Sequence, residues 1–553
     1  MDNTYFDRAR PEVMTYPADI FINQLGYKVN EEKRAVIPFP CDSFSICDKS
    51  GKEVYKGEVN HFGYDENSGD DVYIADFSDF SEKGEYIVKC GDKRSVGFAI
   101  DDNVYDKAFD DTMKAFYYLR CGCELKKEHA GEYTHPVCHN SLATVWSEPD
   151  KKYEVSGGWH DAGDYGRYVT AGAVAVAHLL HSFMLFPKVY EGQRLNIPES
   201  DSGMPDILSE CKYELLWFLK MQREDGGVWH KCTTKLHAPF IMPECDKAEL
   251  FLFDVSSMAT ADFAAVCALA SRVYKPYDES FSDRLYKAAE KSYGWLRKNP
   301  DFIGFKNPEG NNTGSYGEWN DRDNRYWAAA ELYALTGEQE YHDEFIKYAG
   351  EINRTDLGYG SVGGLGSLSY MLCNREKNRY FSELIKKDFK EVAERFKEFS
   401  DTCGYGVAMH ENQYCWGSNM NVMKNAMTFI IADHLNETDI YGKYAARQLH
   451  YLFGLNALGY SYVSGSGEFS VNELHLRPAF ADGIDKCMPG FVSGGPNRNP
   501  GDPDAKILIE LGTKPMKSFA DDMGCYSLNE VTIYWNSPTV FTLAWIKGEP
   551  TSI

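Results

Sequence analysis

Met258–Tyr274 reads MATADFAAVCALASRVY. Its apolar residues recur at helical spacing but occupy more than one face, so the helix they form is buried on two sides, as in the inner ring of a helical barrel. Outward from it, the same spacing predicts helices near 109–119, 170–185, 205–222, 283–298, 325–336, 340–353, 363–373, 381–399, 418–434, 441–452 and 538–546. The long, Gly-rich, aromatic connections between them are where a rigid scaffold places a binding cleft. Upstream, short runs at 20–25, 34–38, 43–48, 53–59, 71–77, 84–90 and 95–100 are broken by Gly, Asn, Asp and Lys turns. They predict a small antiparallel β-sandwich. The change from strand to helix near Asp101 divides the chain into a sandwich over 1–101 and a mainly α domain over 102–553.

The 553 residues carry a formal net charge of −25. That charge excludes a nucleic-acid partner, which needs a basic face, and docking on an anionic membrane. No apolar run is long enough to span a bilayer. With 37 Tyr, 32 Phe and 10 Trp, the chain has rings for stacking on sugars as well as for filling a large core. The N-terminal MDNTYFDRARPEV shows no secretory leader. With 15 Cys, an odd number, it predicts a reducing, cytoplasmic compartment without a disulfide framework. A secreted chain trimmed of its leader would read the same. The sequence carries no signal for oligomeric state.

Two clusters carry chemistry. GGWHDAGDYGRYV, Gly157–Val169, sets Asp161 and Asp164 three residues apart among glycines and rings. A DxxD alone reads as a helical turn or an N-cap, but Trp159, His160, Tyr165 and Tyr168 around it point to a ligand site. CYSLNEVTIYWNSP, Cys525–Pro538, places Glu530 among Tyr526, Tyr534 and Trp535, ahead of a helix that Ser537-Pro538 is predicted to open. A carboxyl among rings is poorly solvated and keeps its proton. One carboxylate as base and one carboxylic acid are what glycosidic hydrolysis requires.

These stretches resemble the two catalytic signatures of the family 9 glycoside hydrolases, the cellulase family with an (α/α)6 barrel. FINQLGY at Phe21–Tyr27, followed by KRAVIPF, is similar to the immunoglobulin-like domain preceding the barrel in one branch of that family. The resemblance runs from about Phe21 to Ala544. It implies inverting cleavage of β-1,4-glucan, with Asp164 as base, Asp161 as the companion that holds the water, and Glu530 as acid. Inversion implies a gap of roughly 6.5–9.5 Å between acid and base. NELHLRP matches a third, sugar-holding signature through His475 and Arg477, with Leu476 where the family has a second His. Trp229, Trp319, Trp416, Trp535 and Tyr526 are candidate sugar platforms.

Cys121, Cys138, His139 and His160 are a donor set suited to tetrahedral zinc, and RCG, the Cys-His pair and WHD match the zinc-bearing branch. Four protein ligands make it a structural zinc beside the Asp161 loop; Cys123 is an alternative to Cys121. Many relatives hold calcium ahead of the WAAAEL helix. Here the matching positions are Asp323, Asn324 and Ser361, two carboxylates short, so calcium is expected to bind weakly or not at all. The reading is an endoglucanase or a cellodextrinase acting on cello-oligosaccharides. The alternatives are an exo-acting β-glucosidase or glucosaminidase, and a carbohydrate-binding protein without catalysis. Retention of all three carboxylates disfavours the last.

Overall fold

The computed structural model describes residues 15–548 and 550; the N-terminal stretch read for a leader lies outside them. Among the described residues, twelve long helices build a double-layered ring. Six form the inner layer: Val169–Leu185, Ser257–Tyr274, Arg322–Thr336, Gly363–Leu372, Ser418–Asn436 and Ile533–Lys547. Ile533–Lys547 packs on Val169–Leu185 and on Ser418–Asn436, bringing the end of the chain back to the start of the ring. The outer six, Asp106–Tyr118, Asp206–Met221, Glu279–Lys298, Gln339–Ala349, Arg379–Asp401 and Gly442–Leu452, each pack against an inner one. This is the predicted (α/α)6 barrel.

Two histidines buried on the first inner helix are held by partners on neighbouring elements, which offsets the cost of burying them. His178 meets Ser537 Oγ at 2.9 Å and the Leu357 carbonyl at 2.7 Å, and His181 meets Ser369 Oγ at 2.8 Å. The last helix departs from its prediction. It starts at Ile533, after an extended Thr532 whose hydroxyl makes no capping bond, and holds Pro538 inside its second turn. Proline there forgoes one backbone bond, and packing of the buried helix outweighs the loss. Ser537-Pro538 therefore does not open it.

The sandwich has its own core around Ile22, Ile37, Phe44, Phe77, Val88 and Phe98. Strand Glu53–Tyr64 serves both layers, pairing with Ser43–Asp48 through its first half and with Asp71–Asp76 through its second. The predicted strand at 20–25 is reduced to single bridges, Ile20 to Ser95 and Phe21 to Val36, because Gln24 leaves the sheet. Its amide spans to the barrel, donating to Gly459 O at 2.6 Å and accepting from Phe469 N at 2.7 Å. Arg447 grips Glu32 with two bonds of 2.7 Å across the same interface. One disulfide, Cys41–Cys90, joins two sandwich segments, against the expectation of no disulfide framework; the other thirteen cysteines are thiols. No helix among the described residues is long and apolar enough to cross a membrane.

A five-stranded sheet was not foreseen. Its strands, Ala143–Val145, Glu148–Tyr153, Arg167–Tyr168, Lys231–Thr234 and Leu250–Leu252, come from two connections between helices. It sits directly behind the Asp161–Asp164 turn and fixes that turn's exit.

Candidate active site

The turn carrying Asp161 and Asp164 is irregular rather than helical. Asp161 N donates to Gly166 O at 2.9 Å, and Asp164 Oδ2 accepts from Gly166 N at 3.1 Å. A Cβ on Gly166 would lie 2.5 Å from the Tyr168 hydroxyl and 2.8 Å from Asp164 Oδ2, so only glycine fits. Gly163 is held to glycine as well, since a Cβ there would meet His475 O at 2.1 Å. Asp164 is no N-cap: the next helix starts at Val169.

Asp161, Asp164 and Glu530 line one cleft of about 840 Å³, with His475, Arg477, Trp416, Trp535 and Tyr526. Trp416 is half exposed there and lies 5.3 Å, centroid to centroid, from Tyr526. Two predicted platforms are elsewhere. Trp229 is buried and packs its ring on Tyr153 at 4.9 Å; it is a core residue. Trp319 is 97% exposed on a loop and is not part of the cleft wall. The cleft also holds Tyr534, one of the rings expected around Glu530, and His237, Tyr316 and Tyr359, which sequence reasoning missed. No motif marks His237 in KLHAPF, and Tyr316 is placed by a left-handed backbone, φ 46°, that its sequence does not announce.

The carboxyls differ in environment. Burial pushes Asp164 up, but the His237 hydrogen bond and charge, Arg477 and the Gly166 N–H outweigh it and hold the group at about 2. His237 Nδ1 lies 3.3 Å from Asp164 Oδ2, and the Tyr168 hydroxyl 3.2 Å from the same oxygen. Glu530 goes the other way: burial raises it well above the usual carboxylate range, and the Asp164 charge adds to that. Asp161 is also raised by burial, against the pull of the Tyr316 hydroxyl, which donates to its Oδ2 at 2.5 Å. Asp161 Oδ1 is buried without a protein partner among the described residues.

Leu476 is extended between His475 and Arg477, the first residue of the short helix Arg477–Ala481, and its side chain turns into the core, 1% exposed. His475 Nδ1 meets the Met523 carbonyl at 2.6 Å. Burial holds the ring down to about 4. It is therefore neutral with its proton on Nδ1, and Nε2 is an acceptor for a hydroxyl. Arg477 binds the Gly163 carbonyl at 2.6 Å and that of Ala238 at 2.8 Å, fixing the Asp164 turn to the His237 loop.

Cys121, Cys138, His139 and His160 converge beside this turn, all buried, with one ligand atom from each lying within 4.8 Å of all the others. Arg120 and Trp159 form a bridge that brings Cys121 next to His160. His139 faces His160 at 3.2 Å through Nδ1 and Asp246 at 3.4 Å through Nε2, the carboxylate backing common behind a ligand imidazole. Two thiolates and two imidazoles fit a tetrahedral metal; Cys123 is outside the group. At the calcium-type position some side-chain atoms have protein partners, while Asn324 Oδ1 and Asp262 Oδ2 have none among the described residues. Asp323 Oδ2 accepts from Val362 N at 2.9 Å, and the Asn324 amide donates to Asp262 at 2.9 Å and to Glu318 at 3.5 Å.

Residues 105–543 match the model of glycosyl hydrolase family 9, and residues 15–95 that of the cellulase N-terminal ig-like domain. A cellodextrinase of Butyrivibrio fibrisolvens is 47% identical over 546 residues, covering 95% of this chain and 99% of that protein. A thermostable endoglucanase from Alicyclobacillus acidocaldarius superposes with a TM-score of 0.90 at 32% identity, over 96% of this chain and 100% of that one. A Zn-binding triple mutant of the family 9 endoglucanase J30 gives 0.90 at 32%, over 94% and 100%.

Proposed function

This chain belongs to glycosyl hydrolase family 9 and is a glycoside hydrolase, and from that premise we propose that it hydrolyses β-1,4-glucosidic bonds in cello-oligosaccharides with inversion. The observation that carries the assignment of roles is the opposite environment of two carboxyls on one cleft: Asp164 held ionised, Glu530 held protonated. Glu530 gives its proton to the leaving glycosidic oxygen. Asp164 takes a proton from the water that attacks the anomeric carbon from the other face. The orphan Oδ1 of Asp161 is an acceptor for that water's second proton. Trp416, Trp535 and Tyr526 offer stacking faces, and His475 and Arg477 offer polar contacts to hydroxyls.

Zinc is the metal we assign to Cys121, Cys138, His139 and His160. With four protein ligands it braces the Asp161 turn from outside the cleft. The thirteen thiols favour the cytoplasm; the Cys41–Cys90 bridge is the one feature suited to an oxidising compartment.

The test is hydrolysis of a ladder of cello-oligosaccharides followed by proton NMR of fresh product. The α-anomer should appear first, and the lengths released separate a cellodextrinase from an endoglucanase or an exo-acting enzyme. Initial β-product, or binding without cleavage, overturns the reading.

A further inference from the structure

The strand pair behind the catalytic turn sets Tyr168 directly opposite Lys231. Lys231 is fully buried. Its ammonium meets four acceptors: Asn307 Oδ1 at 2.7 Å, Asn311 Oδ1 at 2.9 Å, Thr313 Oγ1 at 2.8 Å and Gly314 O at 2.7 Å. The rings of Phe253 and Phe305 pack beside it, 4.6 and 5.5 Å from Nζ. A buried charge is tolerated when it is so bound, and here it gathers a loop without regular structure into one conformation.

That loop presents Gly314 N to the Tyr168 hydroxyl at 3.1 Å. A peptide N–H only donates, so it takes a lone pair of the phenol oxygen. The Thr313 hydroxyl, another partner of Lys231, also neighbours the phenol oxygen, and the phenol proton is given to the carboxylate Asp164 Oδ2, at 3.2 Å. Oδ2 then holds three donors, Tyr168, Gly166 N and His237 Nδ1, which leaves Oδ1 for the reacting water.

We propose that Lys231 is a positioning residue that acts through the Gly314 peptide and the Tyr168 hydroxyl to orient the Asp164 base. The inference rests on Asp164 being that base. The other groups that set Asp164 are His237, Arg477 and the Gly166 N–H on the favourable side, with Asp161 and Glu530 nearby as carboxyls. Burial pulls Lys231 itself down to about 7, so the informative range is the acid limb, where the ammonium is intact.

The experiment is the pH dependence of kcat and KM on a cello-oligosaccharide for wild type, Tyr168→Phe, Lys231→Met, the double variant and Asp164→Asn, each checked for folding by circular dichroism. Tyr168→Phe should lower kcat about 10-fold with KM nearly unchanged, and move the acid limb up by about one pH unit, as expected for loss of one charge-assisted hydrogen bond. Lys231→Met should do the same, and the double variant should add no further shift. A folded Tyr168→Phe with an unmoved acid limb, beside an inactive Asp164→Asn, overturns the relay alone. Shifts that add in the double variant overturn the link from Lys231 to Tyr168. Full activity in Asp164→Asn removes the base assignment and the relay together.

Discussion

Ile533 donates its backbone N–H to the carbonyl of Asp161 across 2.8 Å. The neighbouring pair Ala162–Thr532 forms a bridge, His475 pairs with Glu530, and Arg477 N reaches Gly163 O at 3.2 Å. Three stretches far apart in sequence are thus stitched main chain to main chain. The placing of acid against base is a property of backbone, and the carboxyl groups are free to do chemistry rather than hold the fold.

Isosteric replacement should therefore remove the chemistry and spare the structure. Asp164→Asn should lose at least about 10²–10⁴-fold in kcat on cello-oligosaccharides, the range for a positioned base. Glu530→Gln should lose as much, yet recover activity on substrates whose leaving group needs no proton. Steady-state kinetics on both substrate types, with thermal melts alongside, reads this. An Asp164→Asn enzyme with more than a few per cent of wild-type activity contradicts the assignment.

His237 should set the acid side of the activity profile. Its contact with Asp164 is the largest influence holding that carboxyl at about 2 against burial. In His237→Ala the carboxyl rises toward its ordinary range. The base is then protonated at a higher pH, so activity on acidification is lost earlier, by about one pH unit. The neutral-pH rate changes less than the limb. A profile of kcat/KM against pH that is superposable on wild type refutes the role.

Much of this was legible beforehand, for reasons that particular residues make plain. The twelve helices announce themselves by their apolar spacing, which in an inner helix such as Ser257–Tyr274 covers more than one face, and DAGD was conspicuous because glycines and rings crowd it. The five-stranded sheet was not, since strands such as Arg167–Tyr168 are two residues long, too short for any alternation to show, and pair with strands beyond two intervening helices. Trp229 and Trp319 were misplaced because a ring's burial depends on distant chain: one lies in the core, the other in solvent. His237 escaped because a lone histidine in an irregular loop has no local pattern.

Glu318 should be a liability at neutral pH. Burial, with Asp323 adding, pushes it up to about 8. An acid raised on folding contributes stability that is complete below its unfolded value, about 4.5, and is lost as pH climbs through about 8. Glu318→Gln keeps an uncharged partner for Asn324 at every pH. Its melting temperature should match wild type near pH 4 and exceed it by about 1–3 °C at pH 8. Calorimetry across that range decides it. A variant less stable than wild type at pH 8, with the deficit abolished by chelator, would mean that a cation holds Glu318 ionised.

The Cys/His group predicts about one zinc per chain by elemental analysis. Metal held by thiolates and imidazoles contributes folding free energy directly, because no such site exists in the unfolded chain. Cys138→Ser should therefore lose the zinc and several degrees of melting temperature while kcat at low temperature stays near wild type, since Cys138 does not line the cleft. His160→Ala should cost both, because His160 immediately precedes Asp161 and removing its imidazole takes a ligand from the metal directly beside the catalytic turn. A zinc-free protein that is as stable as a zinc-loaded one would remove the metal from the account. Equal loss of rate in the two variants would instead tie the metal to the chemistry.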